Sequence, residues 1–467
     1  MTAAVLADFG STFTKVSVVE MGTGRLLARA QAPTTIASDV TIGYESALAA
    51  ATSRISEPLT IGPRLAASSA AGGLRVAAVG LVEDLTAAAA RQAALNAGAR
   101  IELVLDGRLT EHHGRKLKQV NPEVVLFSGG TDGGQEQIVI DNAEALATAA
   151  VDAHFVVACN EAVAEKVARI LGRHDARVDV VANVMPDMGT LDVAPARDAI
   201  SEAFVTHVIA GKGLSSSAEF GRSVIMPTPE AVLRATALLA DGHADLEGFG
   251  EVLTVDVGGA TTDVHSAGHS GEITPGVNGP LLPVPPVMRS VEGDLGLRSN
   301  AESVIRLDGT WITEHLTSGG GGVRALSEAG RERLESPSLI AASRAELAID
   351  SALACSCLFH ALRRHCGHLK MISSPNQPVR ISFDGPDLRN APLLVGTGGI
   401  LANTAGAEQI LSAAIARREA RSLAPTAPRV VIDSNYILAA AGLLASIDER
   451  SALLLMHRGL PGVQKGS

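Results

Sequence analysis

Short apolar runs alternate with longer alanine-rich segments through the first part of the chain. Residues 124–127 and 154–158 are rich in β-branched and aliphatic side chains, which is typical of buried strands. Segments with helical spacing follow each of them, at 142–150 and 161–171, and earlier helices are predicted at 44–55 and 83–98. Strands that alternate with helices in this way predict an α/β fold with sheets flanked by helices.

Two turns of the same kind interrupt this pattern. The first runs from Asp8 to Lys15 and reads Asp-Phe-Gly-Ser-Thr-Phe-Thr-Lys. The second runs from Asp256 to Asp263 and reads Asp-Val-Gly-Gly-Ala-Thr-Thr-Asp. Each follows an apolar run, passes through glycine into hydroxyl residues and leads into another strand-like run. Both are therefore predicted to be a strand, a tight glycine turn and a second strand.

These turns carry groups suited to a polyphosphate and its magnesium ion. Asp8 and Asp256 each close a strand and could hold the water shell of Mg²⁺, which keeps several waters and takes few direct carboxylates. Glycines let a turn bend so that its amide N–H groups face an anion. The predicted phosphate ligands are Gly10, Ser11, Thr12, Thr14 and Lys15 in the first turn, and Gly258, Gly259, Ala260, Thr261 and Thr262 in the second.

A third glycine-rich turn follows the apolar run at 393–395 and comprises Gly396, Thr397, Gly398 and Gly399. The missing side chains would let a flat ring or a sugar lie against the backbone. The spacing Gly-x-Gly-x-x-Gly is absent, so this is not a dinucleotide-binding fingerprint.

Two helices flank these turns in the sequence. One, at 227–240, begins at Pro227, where proline fixes the backbone angle without losing a needed donor. The other, at 437–444, contains Ala439, Ala440, Ala441 and Gly442. Small residues permit close helix crossing, which is the contact that a hinge between domains needs. An ordinary packed helix would show the same sequence pattern.

Other glycine-rich stretches are less specific. The loop 128–134 could contact a phosphate or a partner, but it lacks a lysine or paired hydroxyls, so a sharp strand-to-helix connection is favoured. Residues 268–286 predict a long loop, and the four glycines at 319–322 predict a mobile connection.

The composition excludes several classes of function. The net charge of -11 and an aromatic content of 3% oppose binding to nucleic acid by counterion release or base stacking. No apolar stretch is expected to reach the roughly 18 to 20 residues that span a bilayer. The chain of 467 residues is long enough for several domains. A soluble, cytoplasmic protein is expected.

Cys159, Cys355, Cys357 and Cys366 show no spacing typical of zinc or iron–sulfur sites. We expect small buried thiols in a reducing compartment. The pair His112 and His113 lacks a second pair of ligands, so no metal site is predicted there.

The order of the two aspartate turns, the helix at 227–240, the glycine turn at 396–400 and the helix at 437–444 resembles the actin/Hsp70/sugar-kinase ATPase superfamily. The resemblance implies a two-lobed, actin-like (ribonuclease H-like) α/β fold with mixed sheets and Mg-ATP in the cleft. The first lobe would comprise 1–240 and 431–467, and the second 241–430.

Within that superfamily the sequence is most similar to the glutamate mutase-associated MutL (GlmL) family, which is unrelated to the mismatch-repair protein of the same name. The similar stretches are 69–75, 127–134, 182–187, 257–266 and 292–296. The resemblance implies an ATP-driven reactivating or assembly factor for a cobalamin-dependent mutase or aminomutase. The implied partners are ATP or ADP and a mutase subunit. A second copy of the chain, forming a homodimer, is a further candidate partner. Neither nucleic acid nor a membrane is an expected partner.

The resemblance also implies roles for individual residues. Asp8 and Asp256 would organise Mg²⁺ through water, and Asp263 would orient the attacking water. Chaperone members of the superfamily have Asn-Glu before Pro-Thr, and that glutamate is catalytic. This chain has Ile225 and Met226 at those two positions. Glu230 is therefore the remaining substitute for the catalytic glutamate. The glycine turn at 396–399 would hold the adenosine. A slow ATPase is expected.

Three alternatives remain open. A small-molecule kinase on the same fold would need a base aimed at a substrate hydroxyl, and no substrate signature is evident. An activator of a radical dehydratase would need cysteines that hold a bridging iron–sulfur cluster. An actin-like nucleotide-dependent scaffold would form filaments.

Overall fold

The computed structural model of the chain describes residues 1–36, 38–69, 74–206, 223–268, 277–316, 323–373 and 379–463. The predicted mobile connection at 319–322 lies outside these residues, as do parts of the predicted loop 268–286 and of the similar stretch 69–75.

The strands are, in chain order, β1 (Thr2–Phe9), β2 (Phe13–Glu20), β3 (Arg25–Pro33), β4 (Thr60–Ser68), β5 (Arg75–Val79), β6 (Arg100–Leu105), β7 (Val124–Gly129), β8 (His154–Cys159), β9 (Val178–Val180), β10 (Val224–Pro227), β11 (Gly242–His243), β12 (Leu246–Glu247), β13 (Val252–Val257), β14 (Thr262–Ala267), β15 (Val287–Glu292), β16 (His368–Ile372), β17 (Arg380–Asp384), β18 (Leu393–Thr397) and β19 (Arg429–Ile432).

The α-helices are α1 (Val40–Thr52), α2 (Ala88–Asn96), α3 (Glu111–Val120), α4 (Gln137–Ala149), α5 (Glu161–Leu171), α6 (Ala194–Phe204), α7 (Thr228–Asp241), α8 (Ala301–His315), α9 (Val323–Glu335), α10 (Arg344–His365), α11 (Gly399–Asn403), α12 (Ala407–Ala416), α13 (Ile437–Ala445) and α14 (Glu449–Gly459). A π-helix at Glu83–Ala87 leads into α2, and a 3₁₀ turn at Gly172–His174 follows α5.

The chain divides into two compact units. Unit 1 comprises Met1–Ala235, Leu282–Met288 and Ala439–Leu455, and unit 2 comprises Thr236–Leu281, Arg289–Leu438 and Met456–Ser467. β19 lies in unit 2, where Val431 pairs with Val395 of β18. The predicted lobes, 1–240 with 431–467 and 241–430, stay a prediction.

Each unit contains a five-stranded sheet of the same topology. The order is β10-β4-β1-β2-β3 in unit 1 and β15-β14-β13-β18-β19 for the sheet of unit 2. In both, the first strand pairs antiparallel with the second and parallel with the fourth, and the fifth adds in parallel to the fourth. This is the ribonuclease H-like order that actin-like ATPases contain twice. The predicted α/β fold with mixed sheets flanked by helices is confirmed.

Unit 1 also contains an all-parallel sheet, in the order β6-β5-β7-β8-β9. Its strands β7 and β8 are buried at every residue because helices cover both faces of the sheet. Along β7, Val124 and Leu126 face one core, while Val125 and Phe127 face the other. The apolar runs that predicted strands here therefore reflect burial on two sides.

Side-chain hydrogen bonds brace the glycine-rich loop that follows β7. The Asn183 amide donates to the Gly130 carbonyl and to Asp132, each at 2.9 Å, and Asn160 accepts from the Gly133 amide. The α4 helix then begins at Gln137, ahead of the predicted start at 142. These contacts support the favoured reading of the loop as a sharp strand-to-helix connection.

One helix contradicts the prediction that no apolar stretch is long enough to cross a bilayer. By length and composition α10 (Arg344–His365) is long and apolar enough, but 61% of its most apolar window is buried inside the protein. Leu353, Cys357 and Ala361 of this helix belong to the core of unit 2. A buried core helix meets the same criteria of length and composition.

Helix α13 approaches α7 closely within unit 1. A Cβ on Gly442 would lie 1.8 Å from the Ala231 carbonyl oxygen, so only glycine fits. The small residues predicted to allow close helix crossing thus lie at such a crossing. The hinge role of this helix stays a prediction.

All four cysteines are free and buried. Burial raises the pKa of the thiols to about 12 for Cys159, about 11 for Cys355 and about 12 for Cys357, and it also raises the pKa of Cys366. The thiolate is the reactive form, so these thiols are poor nucleophiles at neutral pH.

We therefore expect a thiol reagent such as dithionitrobenzoate to react with none of the cysteines in the native protein at pH 7.5, and with all of them after unfolding in guanidinium. Absorbance of the released thiolate measures this. Rapid release from the native protein would show that a cysteine is accessible.

Candidate functional site

The first aspartate turn connects β1 to β2. The amide of Gly10 donates to the Phe13 carbonyl at 3.1 Å and closes the turn. A Cβ on Gly10 would lie 2.8 Å from the same carbonyl oxygen, so glycine is needed there. The ladder places Asp8 directly opposite Lys15. The predicted strand, glycine turn and strand are all present.

The Asp8 carboxylate has two partners in unit 1. Lys15 Nζ lies 3.1 Å from Oδ2, and the Thr228 hydroxyl donates to Oδ1 at 2.7 Å. Thr228 reaches Asp8 because β1, β4 and β10 are parallel and end at the same edge, where Phe9 and Pro227 both pair with Ser68. Sequence reasoning missed Thr228, although the sequence places it directly after Pro227.

The hydroxyls of the first turn face in different directions. Thr14 is fully buried, and its hydroxyl lies 3.0 Å from that of Thr34, so it braces the turn. Ser11 and Thr12 are exposed. Their amide groups make no hydrogen bond to any residue that the structure describes. Two successive amides without a protein acceptor are suited to an anion.

The second turn, between β13 and β14, repeats this construction in unit 2. The Gly258 amide donates to the Thr261 carbonyl at 2.9 Å, and Asp256 lies opposite Asp263 in the ladder. Thr262 is buried like Thr14, and its hydroxyl donates to the Leu295 carbonyl. The amides of Gly259 and Ala260, like those of Ser11 and Thr12, have no acceptor within the described part of the chain.

The segment 292–300 braces this second turn. The amides of Leu297 and Arg298 donate to the carbonyls of Gly258 and Gly259, at 3.1 and 2.7 Å. The side chain of Asn300 donates to the Ala260 carbonyl at 2.6 Å. The carbonyl groups of the turn thus accept hydrogen bonds from this segment. The amides of Gly259 and Ala260 take no part in these bonds.

Arg298 anchors the segment in the core of unit 2. Its guanidinium contacts both oxygens of Asp350, and Arg333 donates to the same carboxylate at 2.7 Å. Asp350 and Arg333 are both buried. Nothing in the local sequence pairs these residues, because Asp350 belongs to a helix remote in the chain.

Asp263, the candidate for orienting water, is held by an arginine. Nε of Arg289 lies 2.8 Å from its Oδ1, and the Thr261 hydroxyl lies 3.3 Å from Oδ2. Arg289 is itself buried. Its charge offsets the repulsion between Asp256 and Asp263, which stand opposite each other across the hairpin. Burial, and then Arg289 and His365, hold the pKa of the neighbouring His265 well below its usual range.

The glycines of the third turn have separate packing roles. Gly396 faces the core of unit 2, where a Cβ would meet Leu411 at 2.5 Å. Gly398 has a φ of 99°, and its Cβ would lie 2.7 Å from Asp256 Oδ1. Gly399 borders open space. Asp256 pairs with Thr397 in the parallel ladder of β13 and β18, so the second and third turns lie at one edge of the sheet.

Glu230 lies in the first turn of α7 and is buried. Its carboxylate accepts from the Ser201 hydroxyl at 2.5 Å and from Arg234 at 2.7 and 3.0 Å. These contacts brace α6 against α7 in unit 1. The catalytic role predicted for Glu230 stays a prediction.

The described residues hold no group of three His, Cys, Asp or Glu side chains arranged as a metal site. An ion with few protein ligands fits this arrangement, since Mg²⁺ keeps several waters and binds through one or two carboxylates and substrate phosphates. Each turn therefore combines one carboxylate, from Asp8 or Asp256, with two amides that have no acceptor among the described residues.

Replacing Gly296 tests how far the segment 292–300 supports the second turn. A Cβ there would lie 2.4 Å from the Ala260 backbone. We expect Gly296→Ala to lower the free energy of unfolding by about 1–3 kcal/mol, the usual effect of overpacking, in a chemical denaturation experiment.

Gly293→Ala is the matched control, because a Cβ at Gly293 would have no neighbour within 4 Å. Equal stability of the two variants would contradict the bracing role of the segment.

Comparison with known proteins gives one family. The family described as MutL protein matches residues 4–460. Protein MutL from Clostridium tetanomorphum is 38% identical over 463 residues, which cover 98% of this chain and 99% of that protein.

Solved structures are similar only loosely. Nucleotide-free acetone carboxylase aligns at a TM-score of 0.39 with 13% identity, over 95% of this chain and 70% of that one. Gluconate kinase from Lactobacillus acidophilus aligns at 0.35 with 9% identity, over 98% and 92% of the two chains. A glycerol dehydratase reactivase aligns at 0.32 with 11% identity, over 95% and 99%.

Proposed function

Because the chain belongs to the MutL protein family, we propose that it binds Mg-ATP through its two aspartate turns and serves as a reactivating or assembly factor for a cobalamin-dependent mutase of the glutamate mutase or aminomutase type. The observation that supports the nucleotide part is the repeated turn, which has in each unit a carboxylate, a closing hydrogen bond from glycine and two amides without an acceptor among the described residues. The mutase part rests on the resemblance to the glutamate mutase-associated family. The protein would act in the cytoplasm.

Each turn contributes the same kinds of contact in this proposal. The amides of Ser11 and Thr12, with the two exposed hydroxyls, bind phosphate oxygens in unit 1, where Gly10 closes the turn. The amides of Gly259 and Ala260, with the Thr261 hydroxyl, do so in unit 2, where Gly258 closes the turn. Asp8 and Asp256 would hold a hydrated Mg²⁺ by accepting hydrogen bonds from its waters. The second and third turns share one sheet edge, so the adenosine contacts Gly398 and Gly399.

Lys15 changes partner when the nucleotide binds. In the structure it neutralises Asp8. Asp8 would hold the hydrated magnesium ion, whose charge would replace that of Lys15 beside the carboxylate, and Lys15 would then be available to a phosphate oxygen. Asp263, fixed by Arg289, orients the water that attacks the γ-phosphate. Hydrolysis of this kind depends on positioning and charge stabilisation and needs no nucleophile from the protein.

Asp8→Asn and Asp256→Asn test the nucleotide site. Each keeps the shape of the side chain and removes the charge, so we expect the rate of Mg-dependent ATP hydrolysis to fall about 10- to 100-fold, as is usual when a group that orients a metal's ligands is lost. Phosphate release measures the rate.

Asp152→Asn, at an exposed position, is the control and should leave the rate unchanged. Unfolding temperatures of all three variants show whether they remain folded. Wild-type rates in folded Asp8→Asn and Asp256→Asn would contradict the proposed site.

Reactivation of a client tests the proposed biological role. A cobalamin-dependent mutase inactivated by turnover should regain activity when this protein, Mg-ATP and fresh cofactor are added together. It should not regain activity when the non-hydrolysable analogue AMP-PNP replaces ATP, because nucleotide turnover drives the exchange. The mutase assay measures the recovery.

Other outcomes would support other functions. ATP consumption that requires a small alcohol and yields its phosphate ester would identify a kinase. Sedimentable polymers formed with ATP would identify an actin-like scaffold. Either result, without any recovery of a mutase, would contradict the reactivation proposal.

A further inference from the structure

Tyr436 occupies a backbone conformation that its side chain disfavours. It lies between β19 and α13 with a φ of 50°, in the left-handed region that favours glycine and asparagine. The turn holds it there, because the Tyr436 amide donates to the Asp433 carbonyl and the Asp433 carboxylate accepts the amides of Ile437 and Leu438. Asparagine or glycine would fit this backbone conformation with less strain than tyrosine does.

The tyrosine hydroxyl is tethered to the third glycine turn. Asn403 Nδ2 lies 2.9 Å from the Tyr436 hydroxyl and 2.8 Å from the Gly399 carbonyl oxygen. One amide group therefore holds the end of the aromatic side chain beside the backbone of the turn. All of these residues belong to unit 2.

The space beside this turn opens at Gly399. A Cβ at Gly398 would collide with Val257 and Asp256, whereas a Cβ at Gly399 would have no neighbour within 4 Å. The side chain of Tyr436 is only partly buried. Aromatic residues make up 3% of the chain, and it has two tyrosines. A partly exposed ring held at an open glycine turn provides an apolar face for a second flat ring.

We propose that Tyr436 is a specificity-determining residue whose ring stacks on the base of the bound nucleotide, with Asn403 fixing its position. This inference rests on the proposed function and extends it from the phosphates to the base. Stacking between a base and an aromatic side chain is favourable for every base, and the larger surface of a purine gains more from it. Tyr436, held in place by Asn403, therefore favours ATP over UTP.

Tyr436→Asn is the discriminating variant. Asparagine adopts a positive φ readily, so the unfolding temperature should stay the same or rise. The affinity for Mg-ATP should fall about tenfold, the loss expected for one stacking contact. The preference for ATP over UTP should shrink with it. Tyr436→Phe keeps the ring and should retain both the affinity and the preference. Titration calorimetry with Mg-ATP and Mg-UTP measures all of these affinities.

The possible results separate this inference from the proposed function. Wild-type affinity for ATP in Tyr436→Asn, or an unchanged ratio of ATP to UTP affinity, would overturn the stacking role while the phosphate site stands. An equal loss in Tyr436→Phe and Tyr436→Asn would also overturn it, because the hydroxyl would then be the active group. If the wild-type protein binds no ATP, the proposed function fails and this inference fails with it.

Discussion

Both candidate phosphate turns depend on one backbone hydrogen bond, from a glycine amide to the carbonyl three residues later. Gly10 makes it to Phe13, and Gly258 makes it to Thr261. This bond closes a tight hairpin between two strands. The residue two places before the glycine then lies opposite the residue two places after the one whose carbonyl accepts the bond. That geometry fixes Asp8 against Lys15 and Asp256 against Asp263. Within the described part of the chain, two amides at the tip of each turn also have no acceptor.

The two turns differ in how the negative charge of the aspartate, Asp8 or Asp256, is compensated. In unit 1 the cross-strand residue is a lysine, which neutralises Asp8 directly. In unit 2 it is a second carboxylate, and like charges directly opposite each other destabilise a sheet. The buried guanidinium of Arg289 compensates by pairing with Asp263. In unit 2 the segment 292–300, anchored by Arg298 and Asp350, also braces the turn.

The sequence predicts the features that follow from local pattern. Apolar runs identify the strands, and the repeated aspartate and glycine spacing identifies both turns. It does not predict features that depend on pairing between distant segments. Thr14 and Thr262 look like phosphate ligands in a linear sequence, but their positions in the strand turn them inward, where Thr34 and the Leu295 carbonyl bond them.

The third turn shows the same limit. Gly396 looks like part of a ligand surface, but the parallel ladder turns it toward Leu411 in the core, and only Gly399 borders open space. The ion pairs of Arg289 and Arg298 were not predictable, because their partners come from other segments. The apolar helix α10 shows that composition alone does not distinguish a core helix from a spanning one, since burial against neighbouring elements decides it.

The central claim is that the two turns bind the phosphates of ATP together with a hydrated magnesium ion. Titration calorimetry of the wild-type protein with ATP, in excess Mg²⁺ and again in EDTA, tests it most directly. The account predicts saturable binding of one ATP per chain in Mg²⁺ and binding at least about tenfold weaker in EDTA, since the carboxylates Asp8 and Asp256 repel a triphosphate that lacks its cation. Absence of saturable binding in Mg²⁺, or equal affinity in EDTA, would contradict it.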